Sequence, residues 1–351
     1  MNCNFMRIKQ KYHHLREKLY WWRYLRFPLG KKVYLIGTPN HSNIGDSAIA
    51  CAELLFLKKI VGDNRVKELT VYEYQQNASF IEKYINKKRL ICGHGGGNMG
   101  NLWYVEELFR YSFIDNFPNN PIIIFPQTVF FTNDEDGEKA KIESLSHYNI
   151  HNNLTIVARE KQSFEMMNCL YKRSKVLLTP DIVLSTKMED YGVSIRQRSG
   201  ALLVFRDDSE KQMFDADRQE IQTYLAEKMI PYRITDMYSS VPVTKDNRMM
   251  LVKSKMQEFA DSQIVITDRL HGMVFAALTG TPCIVFPNNH HKVKGTFDWI
   301  SYLPYIEYVS NVEDAKKKVP QLLNMLNNHY SFDNTTLMNQ FMHLRNYILD
   351  Y

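Results

Sequence analysis

From Lys32 onward, short apolar runs alternate with stretches whose apolar residues fall at helical spacing, and few folds accommodate that alternation. Strands are predicted at Val33–Ile36, Leu69–Tyr72, Leu90–Cys92, Pro121–Phe125, Leu154–Ala158 and Val176–Leu178, with helices Ser47–Ile60, Ser79–Asn86, Trp103–Phe113 and Glu138–His147 between them. Repeated βα units imply a parallel sheet covered by helices. The pattern lapses into polar residues near Lys187–Gly200. It then restarts with Ala201–Phe205, a helix over Asp217–Met229, Tyr232–Thr235 and a helix over Arg248–Ala260. Next comes a buried strand ending in Thr267-Asp268-Arg269-Leu270-His271-Gly272, then a helix over Met273–Leu278 and a strand over Pro282–Phe286. The expected fold class is therefore α/β, with two Rossmann-like domains facing across a cleft. The chain divides into a basic segment at 1–30, a first domain at 31–190, a second at 191–330, and a terminal helical segment at 331–351 that could pack back on the first domain.

At 351 residues, 44% of them hydrophobic, the chain can bury two cores of ordinary size. No apolar run approaches the ~20 residues that cross a bilayer, and Lys9, Lys11, Arg16 and Lys18 interrupt any signal-peptide core. Five scattered cysteines without CxxC spacing indicate reduced thiols and a cytoplasmic setting. The net charge of +6 is concentrated: residues 1–32 hold nine Lys and Arg against Glu17 alone, so the body is slightly acidic. A nucleic-acid-binding body would need a basic face on the folded domain. Tyr12, Leu15, Leu19 and Trp22 share one helical face among basic residues. Residues 1–28 therefore suit either an anionic membrane surface or packing against the body with a solvated basic face.

Polar chemistry gathers at the predicted strand ends, where open α/β sheets bind ligands. After the first strand stands Asn43-Ile44-Gly45-Asp46, in which Asp46 is either a helix cap or a base for a hydroxyl. After the third stands Gly93-His94-Gly95-Gly96-Gly97-Asn98-Met99-Gly100. Gly95, Gly97 and Gly100 formally satisfy GxGxxG, but they follow the wrong strand for a dinucleotide site, and no Gly-Lys-Ser/Thr closes a P-loop. So dense a cluster suggests a ligand pressed against backbone. Arg159-Glu160-x-x-Ser163 and Thr179-Pro180-Asp181 end later strands of this half, where Arg159 suits an anion and Asp181 reads equally as structural. The second half adds Phe205-Arg206-Asp207-Asp208, Asp268-Arg269-Leu270-His271-Gly272, and a loop at 287–295 containing His290, His291, Lys292 and Lys294. Adjacent histidines point apart in extended chain, and no further ligand stands at metal spacing. No metal is expected, and the two lysines suggest a loop closing over phosphate.

In this order and over about residues 30–300, Asn43-Ile44-Gly45-Asp46, the Gly93–Gly97 loop, Arg159-Glu160-x-x-Ser163, Thr179-Pro180-Asp181, and Asp268-Arg269-Leu270-His271-Gly272 with Gly280-Thr281-Pro282 resemble the polysaccharide pyruvyl transferase family. The resemblance implies a GT-B-like arrangement of the two domains. It also implies a reaction without a cofactor, in which the enolpyruvyl unit of phosphoenolpyruvate moves onto two hydroxyls of one sugar, giving a cyclic ketal and phosphate. By the same resemblance the donor falls to Arg159, Arg269, Leu270 and His271. Lys292 is added for the phosphate, and the acceptor side is given to Asn43, Asp46, His94, Gly95, Gly96 and Asn98. The residue chemistry agrees. Guanidinium forks bind carboxylate and phosphate bidentately, and imidazole titrates near neutrality. His271 is thus the expected acid and Asp46, ahead of His94, the expected base. The two arginines would grip the donor from facing halves as the cleft closes, and Asp268 would orient the turn or His271. A lipid-linked acceptor at the inner membrane face fits the basic segment. A nucleotide-sugar glycosyltransferase or a non-catalytic carbohydrate- or anion-binding protein on the same fold are the rival readings, and both would be indifferent to phosphoenolpyruvate in a turnover assay.

Overall fold

A computed structural model describes residues 2–26, 32–208, 210–288, 291–328 and 330–351. After helix α1 (Asn2–Arg26), the first domain runs β1 (Val33–Thr38), α2 (Ile44–Val61), β2 (Val66–Thr70), α3 (Val71–Tyr84), β3 (Leu90–Gly93), β4 (Gly96–Gly100) and α4 (Tyr104–Asn116). It continues with β5 (Ile122–Phe130), α5 (Glu135–Tyr148), β6 (Leu154–Ala158), α6 (Lys161–Leu170) and β7 (Lys175–Leu178). The second domain runs β8 (Ala201–Val204), α7 (Asp215–Glu227), β9 (Tyr232–Thr235), α8 (Arg248–Ala260), β10 (Ile264–Thr267), α9 (Leu270–Leu278), β11 (Cys283–Val285), α10 (Lys292–Ile300), β12 (Ile306–Tyr308) and α11 (Val312–Asn324). Helices α12 (Thr335–Gln340) and α13 (Met342–Leu349) return to the first domain.

Both sheets are parallel. The first has the order β2-β1-β3-β5-β6-β7, with β4 added beside β5, and the second has the order β12-β11-β10-β8-β9. Helices cover both faces of each, so the central strands read as unbroken apolar runs; every residue of Leu154–Ala158 and of Ile264–Thr267 is buried. In β1 the alternation splits two cores. Val33 and Leu35 face α2 and the second domain, while Tyr34 and Ile36 face the outer layer of α3 and α4.

Chain order reverses direction between β1 and β3 in the first sheet and between β8 and β10 in the second. The loops leaving those strands are where ligand crevices form in such sheets. The two crevices face each other, which gives a GT-B arrangement.

The domains are joined by more than a linker. A single apolar core runs from Leu35 and Phe125 through α2, α8 and α9 to Val265 and Val285. Ile44 N donates to Met237 O (2.7 Å) and Ser239 N to Ser42 O (2.8 Å), so backbone pairs across the junction. Buried Arg248 pairs with Glu68 at 2.5 Å and donates to Pro39 O. On the other side of the cleft, His291 meets Glu160 at 3.3 Å and Trp299 donates to Arg159 O. Among the described residues the two halves are thus held together on both flanks of the cleft.

Several element expectations also shift. Leu69–Tyr72 is half strand and half helix, because Thr70 builds a capping box with Glu73 and starts α3. The glycine cluster is read as a loop, yet Gly96–Gly100 forms strand β4. The segment around Lys292 is the first turn of helix α10 and not a loop. Trp21 and Leu25 of α1 are buried, and Tyr24 Oη donates to Glu68 O. The face read from Leu15 and Leu19 stays exposed.

Candidate active site

The turn after β10 builds the second-domain wall. Thr267 Oγ1 donates to Val204 O and accepts Arg269 N (3.0 Å), fixing the chain as it enters α9. His271, in the first turn of α9, is turned against the start of α2, where a Cβ on Gly45 would overlap its Nδ1. Only glycine permits that approach. His271 Nε2 has no hydrogen-bond partner among the described residues, and Asp181 Oδ2 lies 3.7 Å away. Burial lowers the imidazole pKa, Asp181 opposes the shift and Arg159 adds to it. Burial therefore favours the neutral form of His271.

Arg159 enters from the first domain. Its Nε donates to Thr128 Oγ1 and its Nη1 to Asp181 Oδ2, each at 2.8 Å. Nη2 lies over Gly97, where any side chain would collide with it. The loop is close-packed against protein groups, with Arg159 and Lys292 over Gly97, and the Pro126 carbonyl against Gly95. Asp181 ties Arg159 to the neighbourhood of His271 and also accepts Val183 N. Glu160 and Ser163 are architectural: Glu160 caps α6 through Ser163 N, and Ser163 Oγ accepts Val129 N.

Lys292 and Lys294 part company. Lys292 is buried, ion-paired with Glu210, and lowered to about 8 by burial, which the Glu210 charge only partly offsets. Lys294 pairs with Asp298 on the exposed side. His290 lies outside the described residues, while His291 is engaged with Glu160.

A cleft of about 330 Å³ lies between these walls. His41, Asn43, Asp46, Gly97, Asn98, Trp103, Glu106 and Arg159 line it from the first domain. Arg206, Asp208, Glu210, Met237, Tyr238, Arg269, Leu270, His271 and Lys292 line it from the second. Asn43, and not Asp46, is the helix cap, accepting Gly45 N (2.8 Å), which leaves the Asp46 carboxylate free to face the cleft with His41 at 3.6 Å. Arg269 Nη1 donates to Asp208 (3.0 Å), its Nη2 lies 2.6 Å from Asp236, and its guanidinium sits over the Tyr238 ring.

Three sequence assignments fall outside the cleft lining. His94 Nδ1 is held by buried Glu53 at 2.7 Å, whose other oxygen accepts Gly95 N, and Gly96 does not line the cleft. His94 instead borders a small recess that shares Asn98 and Glu106 with the cleft. Asp268 does not orient His271; it accepts Arg206 N (2.8 Å) and so holds the loop after β8. Arg206, Glu210, Trp103 and Tyr238 were missed as site residues. Only the strand-end position of Arg206 carried a signal, since the others join the cleft through long-range pairing.

The family model for polysaccharide pyruvyl transferase matches residues 43–290, beginning at the cap of α2. General stress protein 30 of Bacillus subtilis (strain 168) is 34% identical over 298 residues, covering 84% of this chain and 85% of that one. Pyruvyl transferase 1 of Schizosaccharomyces pombe is 30% identical, covering 84% and 75%. A crystal structure of an uncharacterized Klebsiella pneumoniae protein superposes with a TM-score of 0.55 at 20% identity over 85% of this chain and 98% of that one, a likeness of fold. With the family model spanning most of the chain and both cleft walls, the protein belongs to the polysaccharide pyruvyl transferase family and is a transferase.

Proposed function

We propose that the cleft transfers the enolpyruvyl group of phosphoenolpyruvate onto two hydroxyls of one sugar in a surface or capsular polysaccharide precursor. The observation that carries this reading is the convergence of Arg159, Arg269, Lys292 and His271 from both domains on one cleft. The donor carries a carboxylate and a phosphate, which two guanidinium forks and an ammonium can hold. His271 gives a proton to the methylene carbon, which becomes the ketal methyl, and C2 turns electrophilic. One sugar hydroxyl adds to C2 while Asp46 takes its proton. The C2–O bond to phosphate then breaks, and the second hydroxyl closes the ring. Of the two hydroxyl protons, one replaces that given by His271 and the other leaves on phosphate.

Burial lowers the His271 imidazole pKa. A donor bearing several negative charges beside it raises its proton affinity again, so substrate binding arms the acid. The test is phosphate release from phosphoenolpyruvate with a sugar acceptor, followed by mass spectrometry of the ketal. His271→Ala is expected to lose ~10²–10⁴-fold in kcat. Arg159→Ala or Arg269→Ala is expected to raise KM for the donor by roughly 10–100-fold, from about 1.5–3 kcal/mol per charge-assisted hydrogen bond. Unchanged kinetics in all three sink the proposal.

The acceptor proposed is lipid-linked and presented at an anionic membrane face, to which residues 1–28 bring basic charge. No helix of the described residues is long and apolar enough to cross a membrane. Helix α1 leaves Leu15 and Leu19 exposed beside Lys11, Arg16 and Lys18. Cosedimentation with vesicles containing phosphatidylserine is expected for the full chain and not for a chain lacking residues 1–28. Equal binding by both rejects the membrane contact.

A further inference from the structure

Every cation of the cleft is already paired. Arg206 makes a two-point contact with Asp208 (2.9 and 3.1 Å) and lies 2.5 Å from Glu210. Arg269 pairs with the same Asp208 and with Asp236, Lys292 pairs with Glu210, and Arg159 pairs with Asp181. Two carboxylates two residues apart, Asp208 and Glu210, thus hold three cations at once. That charge pattern is what a small molecule with a carboxylate and a phosphate would present to the same side chains. Both carboxylates sit on the irregular segment between β8 and α7, which can shift without breaking a strand. Glu210 has a further partner across the cleft: its Oε1 accepts the indole N–H of Trp103 at 3.2 Å. Trp103 immediately precedes α4 in the first domain, lines the cleft and keeps about two-fifths of its surface exposed.

We infer that Asp208 and Glu210 are a built-in stand-in for the donor's anions, that Arg206 is a third donor-binding arginine, and that displacement of Glu210 by donor unlatches Trp103 to receive the acceptor sugar. The inference rests on phosphoenolpyruvate being the donor. A polyanion cannot share Arg206 and Lys292 with Glu210 without like-charge repulsion, so the carboxylate moves out as the donor moves in. Its loss frees the Trp103 indole, a flat apolar face of the kind that pyranose C–H groups stack on. Donor then binds before acceptor, and until it does the carboxylates neutralise the anion site.

The experiment titrates phosphoenolpyruvate into the full chain and into Glu210→Gln and Trp103→Phe, by calorimetry and by tryptophan emission, with a thermal melt of each. Removing the competing charge in Glu210→Gln is expected to tighten donor binding roughly tenfold. Trp103→Phe, which cuts the latch without changing any charge, is expected to tighten it by a smaller factor and to abolish the emission change that donor causes in the wild type. If Glu210→Gln is folded and binds donor equally or more weakly, Glu210 supports the cations and the stand-in is wrong. If Glu210→Gln does not fold, Trp103→Phe decides alone, with unchanged affinity and an unchanged emission response overturning the latch. A folded wild type that binds no phosphoenolpyruvate at all overturns the donor reading itself, and this inference with it.

Discussion

His271 draws its character from three neighbours: Gly45, whose missing side chain lets α2 close over the ring, and Asp181 and Arg159, whose charges oppose each other beside it. Because burial lowers its pKa, the neutral ring predominates from a lower pH than in a free histidine, and the proposed donor would reverse that. At neutral pH, donor binding by the wild type is therefore expected to take up more protons than binding by His271→Gln. Calorimetry in buffers of different ionisation enthalpy measures the difference, and equal uptake contradicts the arming step. Lys292 sets the opposite limit. With its pKa near 8, its charge is lost as pH rises through that value, so donor affinity is expected to fall there. Which of these residues the sequence could reveal follows from their physics. Arg269 and His271 follow a strand directly and were legible. His94 was misplaced because the glycines around it look like open ground, when Glu53, a buried acid amid the apolar residues of α2, draws it aside. A buried carboxylate needs a partner, and that was a usable signal.

Among the elements, α2 does the most to shape the first-domain wall. Asn43 caps it, Gly45 admits His271, Asp46 faces the cleft, and its apolar length packs on both α8 and the terminal helices. Asn43→Ala is expected to cost about 0.5–2 kcal/mol of stability through the lost cap and to loosen Asp46 and the Gly45–His271 approach, so that kcat falls more than the melting temperature alone would suggest. Thermal melts beside turnover check this. The buried strand Leu154–Ala158 was readable from its apolar run and the half-buried helix Arg248–Ala260 from its helical spacing, and both fall where the pattern puts them. Strand β4 was not, since Gly-Gly-Asn-Met-Gly has no strand pattern and pairs only because β5 is long enough to offer it an edge. Helix α10 was read as a loop because its first turn is polar and basic; it is Val293, Thr296 and Ile300, buried against the domain, that hold it.

For the whole molecule, the clasps on both flanks make the cleft a preformed space whose adjustable part is the segment after β8. Arg248 is the clearest test. It is 2% exposed, pairs with Glu68 and donates to the carbonyl before Asn40, at the base of the loop that carries His41 and Asn43. Arg248→Ala leaves Glu68 without its main partner, a change that typically costs about 3–5 kcal/mol. A melting temperature within a degree or two of the wild type would show that the domains do not depend on this junction. The two-domain layout was legible from the alternation of patterns, and the shared core was not, because a helix apolar on every side does not say which domain its second face belongs to.

That shared core also has a consequence for synthesis on the ribosome. Helix α2 is covered on one side by α8 and on another by α13, with Phe341 against Phe56, and Tyr351 reaches Asn153. A nascent chain that has released residues 33–178 has every strand of its first sheet but leaves the faces of Phe56 and Leu57 bare until residues 335–351 emerge. Contacts this distant in sequence form slowly, and exposed apolar surface in the interval invites aggregation. The first domain to be translated is therefore among the last parts of the protein to be finished.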